Sequence, residues 1–349
     1  MNVSDFDFHL PDELIAQDPP AERGASRLLA LDRATGRVSH HQFADLPSLL
    51  RPGDLLVVND TRVFPARLIG HRVPGGGAAE CFLVRPTDVS DVWVALVHPG
   101  QRLREGARMV FAAGALRLNA EVVGMHFHGR RTVRLWTDNG TGIREAIDAI
   151  GHIPLPPYIK RDDAAADRDR YQTVFARARG SIAAPTAGLH FTHALLDALA
   201  ERGVQRAAVT LHVGYGTFQP IRVDRVEDHR MEAEHYEVSA DTAAALTAAR
   251  REHRRIITVG TTSTRTVESL AIEADGDVQP ARGETALFIH PGHQFRLVSG
   301  MVTNFHLPRS SLIMLVAALA GREQVLAAYE AAVKERYRFY SYGDAMLVV

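Results

Sequence analysis

The chain has 349 residues, 46% hydrophobic and 23% charged, so it is long enough to bury the cores of one large domain and a smaller one. Its 40 Lys and Arg residues nearly balance its 41 Asp and Glu residues, which excludes a whole-molecule field that would attract nucleic acid or an anionic membrane. A single cysteine, Cys81, excludes a disulfide framework, a cysteine-rich zinc site and a three-cysteine radical cluster.

We expect a cytoplasmic protein with no membrane partner. The first residues, MNVSDFDFHLPDE, do not resemble a signal peptide. The longest apolar stretch, Leu312 to Ala320, is far shorter than the roughly 20 residues that cross a bilayer, and it predicts a buried helix.

Residues 1–66 alternate helix and strand signals. Asp54 to Val58 predicts a buried strand, and it leads directly into the polar run Asn59 to Arg62. Open α/β sheets carry functional groups at the carboxyl ends of such strands, so these residues are site candidates.

From about Arg67 to Asp138, short alternating runs are separated by Gly, Pro and Asp, which is typical of a small barrel or sandwich. We therefore expect an α/β domain of residues 1–66 and 151–349, interrupted by an inserted β-barrel domain of residues 67–150. The arginines of this region are interpreted as a solvated rim rather than an RNA-facing patch: Arg102, Arg104, Arg108, Arg130, Arg131 and Arg134.

After the barrel region, the proline-rich segment Ile150 to Lys160 predicts a stiff return, and Asp162 to Arg170 a mobile loop. The α/β alternation then resumes. Val204 to Val213 predicts a strand that leads into Gly214-Tyr215-Gly216. Helices between strands imply a mostly parallel or mixed sheet.

The stretch from Arg255 to Ala271 predicts a strand, a tight turn at Gly260 and the start of a helix. We expect Thr261 to Thr264 to cap this helix, whose free N–H groups would form an anion seat with Arg265 as a bidentate clamp. An ordinary strand-to-helix corner fits the local features equally well. Further along, Leu287 to His290 and Phe295 to Val298 predict two more strands.

Several polar groups follow predicted strands and converge in one sheet on one crevice. The candidates for proton transfer are His190, His212, His229, His306, Glu232 and Glu234. A metal site is the competing interpretation, through His229 with His235 or through His126 with His128. Neither pair shows the spacing of a zinc hydrolase, so no metal is expected. Dinucleotide and P-loop fingerprints are absent from the sequence.

Long segments of the sequence resemble the S-adenosylmethionine:tRNA ribosyltransferase-isomerases of queuosine biosynthesis. They occur in the family's order from Asp18 to Leu347: DPPAERGASRLL, GDLLVVNDTRVFPARL, RYQTVFA, GSIAAPTAGLHFT, HVGYGTFQPI, VGTTSTRTVESL, MVTNFHLPRSSLIMLVAALAG and YRFYSYGDAML. The sequence departs from the family at Gly24 and Glu232, where Asp and His are expected, and at His290 and His293, where tyrosines are expected.

The resemblance implies that the ribosyl part of S-adenosylmethionine is transferred to 7-aminomethyl-7-deazaguanine at the wobble position of tRNA and isomerised to an epoxycyclopentane. Adenine and methionine leave, and the product is epoxyqueuosine-tRNA. S-adenosylmethionine is consumed, so no cofactor is implied, and tRNA is the partner. A monomer is the favoured state.

The resemblance also directs the site assignments. His212 or His306 would be the general acid or base, with Asp60 orienting and Glu234 a further proton-transfer candidate. Arg265 would clamp the methionine carboxylate. The other residues expected to contact S-adenosylmethionine are His190, Phe191, Gly214, Tyr215, Gly216, Thr262, Ser263, Thr264 and Asn304. Tyr215, Phe191 or Phe305 would stack on adenine or face the sulfonium. The candidates for contact with tRNA are Arg62, Arg309, Arg336 and Arg338.

Two other classes of function remain open at this point. One is a nucleic-acid-binding protein in which the barrel binds RNA and the α/β part is a scaffold. The other is a metal-assisted hydrolase that uses the histidines. Adenine release that depends on precursor-bearing tRNA separates the transferase from both.

Overall fold

The computed structural model describes residues 1–126, 129–218 and 221–349, so His128 lies outside the described residues. Within these ranges the strands are β1 (Arg27–Leu31), β2 (Val38–Gln42), β3 (Leu55–Asn59), β4 (Thr61–Val63), β5 (Arg67–Val73), β6 (Ala78–Pro86), β7 (Val92–His98), β8 (Arg108–Ala113), β9 (Leu116–Met125), β10 (Arg130–Trp136), β11 (Ala178–Ser181), β12 (Gln205–Leu211), β13 (Glu234–Val238), β14 (Ile256–Val259), β15 (Ala281–Thr285), β16 (Gly300–Asn304) and β17 (Ala345–Val348). The α-helices are α1 (Leu46–Leu49), α2 (Ile143–Ile150), α3 (Asp167–Arg170), α4 (His193–Glu201), α5 (Ala240–Arg251), α6 (Gly260–Glu268), α7 (Ser311–Ala320) and α8 (Arg322–Lys334). Short 3-10 helices span Val3–Phe6, Asp12–Leu14, Phe43–Asp45, Thr186–His190, Tyr215–Phe218 and Val226–Asp228.

The main sheet has nine strands in the order β15-β13-β12-β3-β14-β16-β17-β1-β2. Strands β12, β3, β14 and β16 run parallel to one another in its centre. Antiparallel pairs flank this block, including β12 with β13 and β16 with β17. The predicted α/β domain with a mixed sheet is confirmed.

Strand β3 shows why the centre of the sheet is apolar on both faces. All five of its residues are buried. Leu55 and Val57 pack into one core with Leu246 of α5, while Leu56 and Val58 pack into another with Leu196 of α4. The side-chain period of 2 along a strand thus places alternate residues in the two helix layers.

Helix α7 is buried, as predicted for its apolar sequence. It packs in a third core with α8 and with the rings of Phe305, Tyr337 and Phe339. Among the described residues, no single helix is long and apolar enough to cross a membrane. Helices α7 and α8 pass such a test only as a pair, and the chain bends by 115° between them.

Strands β5 to β10 form a closed barrel in the order β10-β7-β6-β5-β8-β9. Helix α2 covers it, with Ala146, Ile147 and Ile150 in the barrel core. The chain enters and leaves at one point, because the backbones of Arg67 and His152 exchange hydrogen bonds of 2.9 and 3.2 Å. On this basis we propose residues 67–150 as an inserted domain.

Two local predictions are wrong. No strand forms at 287–290 or 295–298, although Pro291 and Gly292 form a turn between these two segments. The segment 162–170 includes helix α3, and its Asp167 is buried and bonded to Arg161 and to the hydroxyl of Tyr342. The partner 175 residues away could not be found from local composition.

Candidate active site

A cavity of about 620 Å³ lies at the carboxyl ends of the parallel strands, and its volume is within the usual range for a small-molecule site. The start of α6 and the end of β16 form its floor. Its remaining walls are the segments 156–158, 183–187, 303–312 and 340–341, with Tyr171, Val213, Thr217 and Ile221. We refer to it as the main cavity.

Helix α6 begins at Gly260, whose φ of 84° is a left-handed conformation that suits glycine. The prediction that Thr261 to Thr264 cap the helix is wrong. The hydroxyls of Ser263 and Thr264 instead donate one turn back, to Val259 O and Gly260 O at 2.8 and 3.1 Å. Gly260, Thr261 and Thr262 line the main cavity, and the first N–H groups of a helix have no partner within it. The predicted anion seat thus has a structural basis in the backbone.

A second helix begins at the same cavity. Ser310 caps α7 by accepting a hydrogen bond from the Ile313 amide at 3.3 Å, and residues 310–312 line the wall. The positive ends of α6 and α7 therefore converge on one volume. Such a wall favours a carboxylate or another anionic group.

Arg265 is not available as a carboxylate clamp in this structure. Its guanidinium pairs with Glu234, and it donates to the carbonyl oxygens of Leu287 and Thr285 at 2.9 and 3.4 Å. The two side chains of the pair are only 5% and 4% exposed. The other carboxylate oxygen of Glu234 accepts from the Gly214 amide at 2.8 Å. Both residues therefore position the loop after β12 rather than contact the cavity, which corrects the roles predicted for them.

His306 lies in the wall of the main cavity. Its Nε2 is 2.8 Å from the hydroxyl of Thr303, and its backbone N–H donates to the hydroxyl of Tyr329 at 3.1 Å. Burial lowers the pKa of His306 to about 3. The imidazole is therefore neutral near pH 7, and it is a hydrogen-bonding group rather than a charged acid.

His212 and Asp60 form a neighbouring cluster outside the wall of the main cavity. The Nδ1 atom of His212 is 2.8 Å from the hydroxyl of Thr61. Burial, followed by the nearby His235, lowers the pKa of His212. Asp60 is bound by Arg177 at 2.8 and 3.0 Å and by the Thr210 hydroxyl at 2.5 Å.

Val213, which follows His212, does line the cavity. Asn59, at the end of β3, ties the neighbouring elements together. It donates to Leu211 O at 3.0 Å and to the Thr262 hydroxyl at 3.1 Å. The predicted convergence of strand ends is therefore real, but it forms two adjacent clusters.

Asn304 and His190 are linked beneath the cavity. The side-chain amide of Asn304 donates to His190 Nε2 at 3.1 Å and to Tyr340 O at 3.0 Å. His190 Nδ1 is 2.8 Å from the hydroxyl of Ser26, and burial lowers the pKa of His190 to about 3. Asn304 and Tyr340 line the main cavity, whereas His190 and Ser26 do not. His190 thus supports a wall residue.

Of the three aromatic residues expected to contact the ligand, Phe305 lines the main cavity, whereas Phe191 and Tyr215 do not. Phe191 is fully buried and packs against Phe43 and Phe175. The ring of Tyr215 packs against Phe82 of the barrel, with the centroids 5.8 Å apart. The stacking role predicted for Phe191 is therefore wrong, because the ring is part of the hydrophobic core.

Two tyrosines that the sequence analysis did not assign to the site line the cavity instead. Tyr158 and Tyr340 stack on each other with centroids 4.2 Å apart. Tyr340 has a φ of 73°, which is strained for a bulky residue and is typical of functional sites. The segment YRFYSYGDAML, which contains Tyr340, is one of those that resemble the family, but its sequence did not predict that Tyr340 lines the cavity.

The loop containing Gly214 and Gly216 lies beside the barrel. Glu232, one of the departures from the family pattern, pairs with Arg130 of β10 and sits against Gly216. The carboxylate of Glu232 therefore forms an ion pair with the barrel.

Two other departures from the family pattern lie elsewhere. His293 Nε2 lies 3.5 Å from Glu268 without hydrogen-bond geometry. Gly24 has a φ of 89°, which would strain an aspartate.

The arginines proposed to contact tRNA are spread over the surface. Arg309 lines the main cavity, is 60% exposed, and lies 3.1 Å from Asp7. Arg62 and Arg336 are exposed, and Arg338 is partly buried. Arg131, expected on the rim of the barrel, is buried and donates to Leu103 O at 3.1 Å, so that prediction is wrong for this residue.

Of the two histidine pairs weighed for a metal site, the pair of His126 with His128 includes a residue outside the described ranges, and His229 and His235 belong to no metal-binding group among the described residues. Among the described residues, no group of three or more His, Cys, Asp or Glu side chains has the arrangement to hold a metal ion. His235 lies 3.0 Å from Glu284, and His229 packs on Phe288.

A mixed α/β sheet with a cavity at its strand ends is typical of enzymes that bind a small molecule, and the two helix N-termini that meet there favour an anionic group. The chain belongs to the queuosine biosynthesis protein family, whose model matches residues 3–348.

Two similar proteins are named S-adenosylmethionine:tRNA ribosyltransferase-isomerase. One, from Solibacter usitatus (strain Ellin6076), is 52% identical over 368 residues, and the match covers 100% of both chains. The other, from Anaeromyxobacter sp. (strain Fw109-5), is 53% identical over 350 residues, covering 100% of this chain and 99% of that one. The crystal structure of S-adenosylmethionine tRNA ribosyltransferase from Thermotoga maritima is also similar. It has a TM-score of 0.56 and 36% identity, and covers 99% of this chain and 100% of that chain.

Proposed function

We propose that this chain transfers the ribosyl moiety of S-adenosylmethionine to 7-aminomethyl-7-deazaguanine at the wobble position of tRNA and isomerises it. The products are epoxyqueuosine-tRNA, adenine and methionine. The chain is a transferase-isomerase of queuosine biosynthesis, as the family match and the relatives that it covers end to end support. The proposal depends most on one observation, the convergence of two helix N-termini and stacked tyrosines on one cavity.

S-adenosylmethionine has three parts that this cavity suits. The carboxylate fits the N–H groups at the start of α6, because a helix N-terminus favours an anion. The flat adenine fits beside the stacked rings of Tyr158 and Tyr340. The ribose between them would then approach His306, which lines the same wall.

The sulfonium acidifies the neighbouring C5′ hydrogens of the ribose, so a base removes one of them. We propose His212 as the proton acceptor, a role that requires the loop after β12 to bring it from the neighbouring cluster to the ribose, and His306 as a neutral group that orients the ribose. His306, with a pKa of about 3, has little proton affinity, and a bound sulfonium would lower it further. We propose that Asp60, held by Thr210 and Arg177, orients this cluster without contacting the ligand.

Single-turnover adenine release tests these roles. His212→Ala should slow release by at least ~100-fold, since general base catalysis contributes that much. His306→Gln, which keeps a hydrogen-bonding group, should be slowed less than His306→Ala. Near-normal release by His212→Ala would contradict the assignment.

The tRNA would present its wobble base unstacked, as anticodon bases are read. We propose that Arg309, at the mouth of the cavity, meets the backbone phosphates, with Arg62, Arg336 and Arg338 as further candidates. We also propose that the protein acts as a cytoplasmic monomer without a resident cofactor, since S-adenosylmethionine is consumed.

The decisive experiment uses purified protein, S-adenosylmethionine labelled in the ribose, and tRNA that carries the aminomethyl precursor. We expect label in the tRNA nucleoside and adenine release in equal amounts. Matched tRNA with an unmodified guanine at the wobble position is the control, and it should give neither. Adenine release without precursor tRNA, or loss of transfer on adding a chelator, would contradict the proposal.

A further inference from the structure

Asn304 lines the main cavity, and its side-chain oxygen Oδ1 has no partner among the described residues although the side chain is almost fully buried. Asn304 is 2% exposed, and its Oδ1 has no hydrogen bond. A buried acceptor left unsatisfied costs about 1–3 kcal/mol. An acceptor in that state within a ligand cavity points to a donor on the ligand.

The orientation of this acceptor is fixed by its neighbours. Both N–H groups of the Asn304 amide are used, one by His190 Nε2 at 3.1 Å and one by Tyr340 O at 3.0 Å. A flipped amide would set Oδ1 against the Tyr340 carbonyl. His190 accepts at Nε2 because its Nδ1–H is directed to the Ser26 hydroxyl at 2.8 Å. Ser26 and His190 therefore act as positioning residues.

The register of the sheet places this acceptor beside the anion seat. Val302 of β16 pairs with Val259 of β14, so Asn304 lies two residues beyond that pair, next to the first residues of α6. The same volume therefore offers N–H donors from the helix and an acceptor from Asn304. An α-amino acid presents a carboxylate and an ammonium group on adjacent atoms, which matches this pair of functions.

We propose that Asn304 Oδ1 accepts a hydrogen bond from the α-ammonium group of S-adenosylmethionine while the start of α6 binds the carboxylate. This inference depends on the proposed function. An asparagine that reads adenine uses its carbonyl and its amide together. Here both amide hydrogens are engaged within the protein, so bidentate contact with adenine is blocked and the ammonium group is the better donor.

Calorimetric binding of two ligands tests the proposal. These are S-adenosylmethionine and its analogue with hydrogen in place of the α-amino group. The wild type should bind the analogue roughly 10- to 100-fold more weakly, the loss expected for one buried hydrogen bond to a charged group. Asn304→Leu should weaken S-adenosylmethionine by a similar factor and bind the two ligands equally. Ser26→Ala should reduce the discrimination in part.

Several outcomes would overturn the inference. Equal binding of the two ligands by the wild type does so whether or not Asn304→Leu folds. If Asn304→Leu weakens the binding of both ligands equally, Asn304 has a structural role. A third ligand, S-adenosylmethionine without the adenine amino group, tests contact with the base. If Asn304→Leu loses discrimination only against that ligand, Asn304 contacts adenine and not the ammonium group. In these cases the wild type still releases adenine with precursor tRNA, so the proposed function stands. No binding of S-adenosylmethionine by the wild type contradicts both.

Discussion

The carboxylate of Glu234 is paired with the guanidinium of Arg265 in a site where the side chains are only 4% and 5% exposed. This pair joins β13 to α6, and Glu234 also holds the Gly214 amide at 2.8 Å. The pair and this hydrogen bond thus fix the loop after β12 to helix α6, whose first residues line the main cavity. The pair acts on the ligand through the backbone that it positions.

Breaking this pair should destabilise the protein strongly. Arg265→Met leaves the carboxylate of Glu234 buried and unpaired, and we expect the free energy of unfolding to fall by about 3–5 kcal/mol. Urea denaturation measures this. The matched control is Arg282→Met, which breaks the exposed pair between Arg282 and Glu237, with side chains 84% and 55% exposed. That variant should change stability little. Equal effects of the two variants would contradict the buried role.

Two buried histidines should make stability depend on pH. Burial lowers the pKa of both His190 and His306 to about 3, from 6.5 in the unfolded chain. Between these values only the unfolded chain binds the protons, so stability falls as pH drops below 6.5. At pH 5 each histidine should reduce the free energy of unfolding by ~2 kcal/mol relative to pH 8.

The variant His306→Gln isolates one of these contributions. Its loss of stability between pH 8 and pH 5, from urea denaturation, should be smaller than that of the wild type by ~2 kcal/mol. The difference at pH 8 gives the structural cost of the substitution alone. An unchanged pH dependence would show that the folded protein tolerates the charged ring.

Gly180 holds His212 in place by close approach. A Cβ at this position would lie 2.7 Å from the imidazole, so Gly180→Ala must displace the ring. We expect slower adenine release, by ~10-fold or more if His212 is the proton acceptor, with S-adenosylmethionine binding retained. Gly142→Ala is the control, because a Cβ there meets nothing within 4 Å at a φ of -60°. Equal activity of both variants would contradict the prediction.

Tyr340 lines the main cavity, and its buried hydroxyl has no hydrogen-bond partner among the described residues. Tyr340→Phe should therefore leave thermal stability unchanged or raise it, while weakening S-adenosylmethionine binding. Tyr329→Phe is the contrast, since its hydroxyl accepts from the His306 amide at 3.1 Å and its loss should cost about 1–3 kcal/mol. A Tyr340→Phe protein that melts lower but binds normally would contradict the functional interpretation.

The sequence was sufficient to predict elements whose signals are local. Leu55 to Val58 is a continuous apolar run, and it forms a buried central strand. The short alternating runs after Arg67 form the closed barrel. In both cases the side-chain period of the strand is visible in the residues themselves.

Pairings between distant residues were not visible in this way. Arg265 looked like a ligand clamp because its partner, Glu234, lies 31 residues earlier on another strand. Phe191 looked like a stacking residue because nothing in its neighbourhood revealed Phe43 and Phe175 around it. Only the packed fold decides whether a polar or aromatic side chain faces a ligand or the protein.

Strand β17 lies between β16 and β1 in the sheet, and β1 precedes β17 by more than 300 residues in the sequence. During synthesis, β1 has only β2 beside it until residues 345–348 have left the ribosome. The wall formed by Tyr340 and Ser341 is completed at the same late stage. The ligand site is therefore complete only after residues 340–348 have been synthesised, and until then the edge of β1 is exposed to chaperones or to wrong pairing.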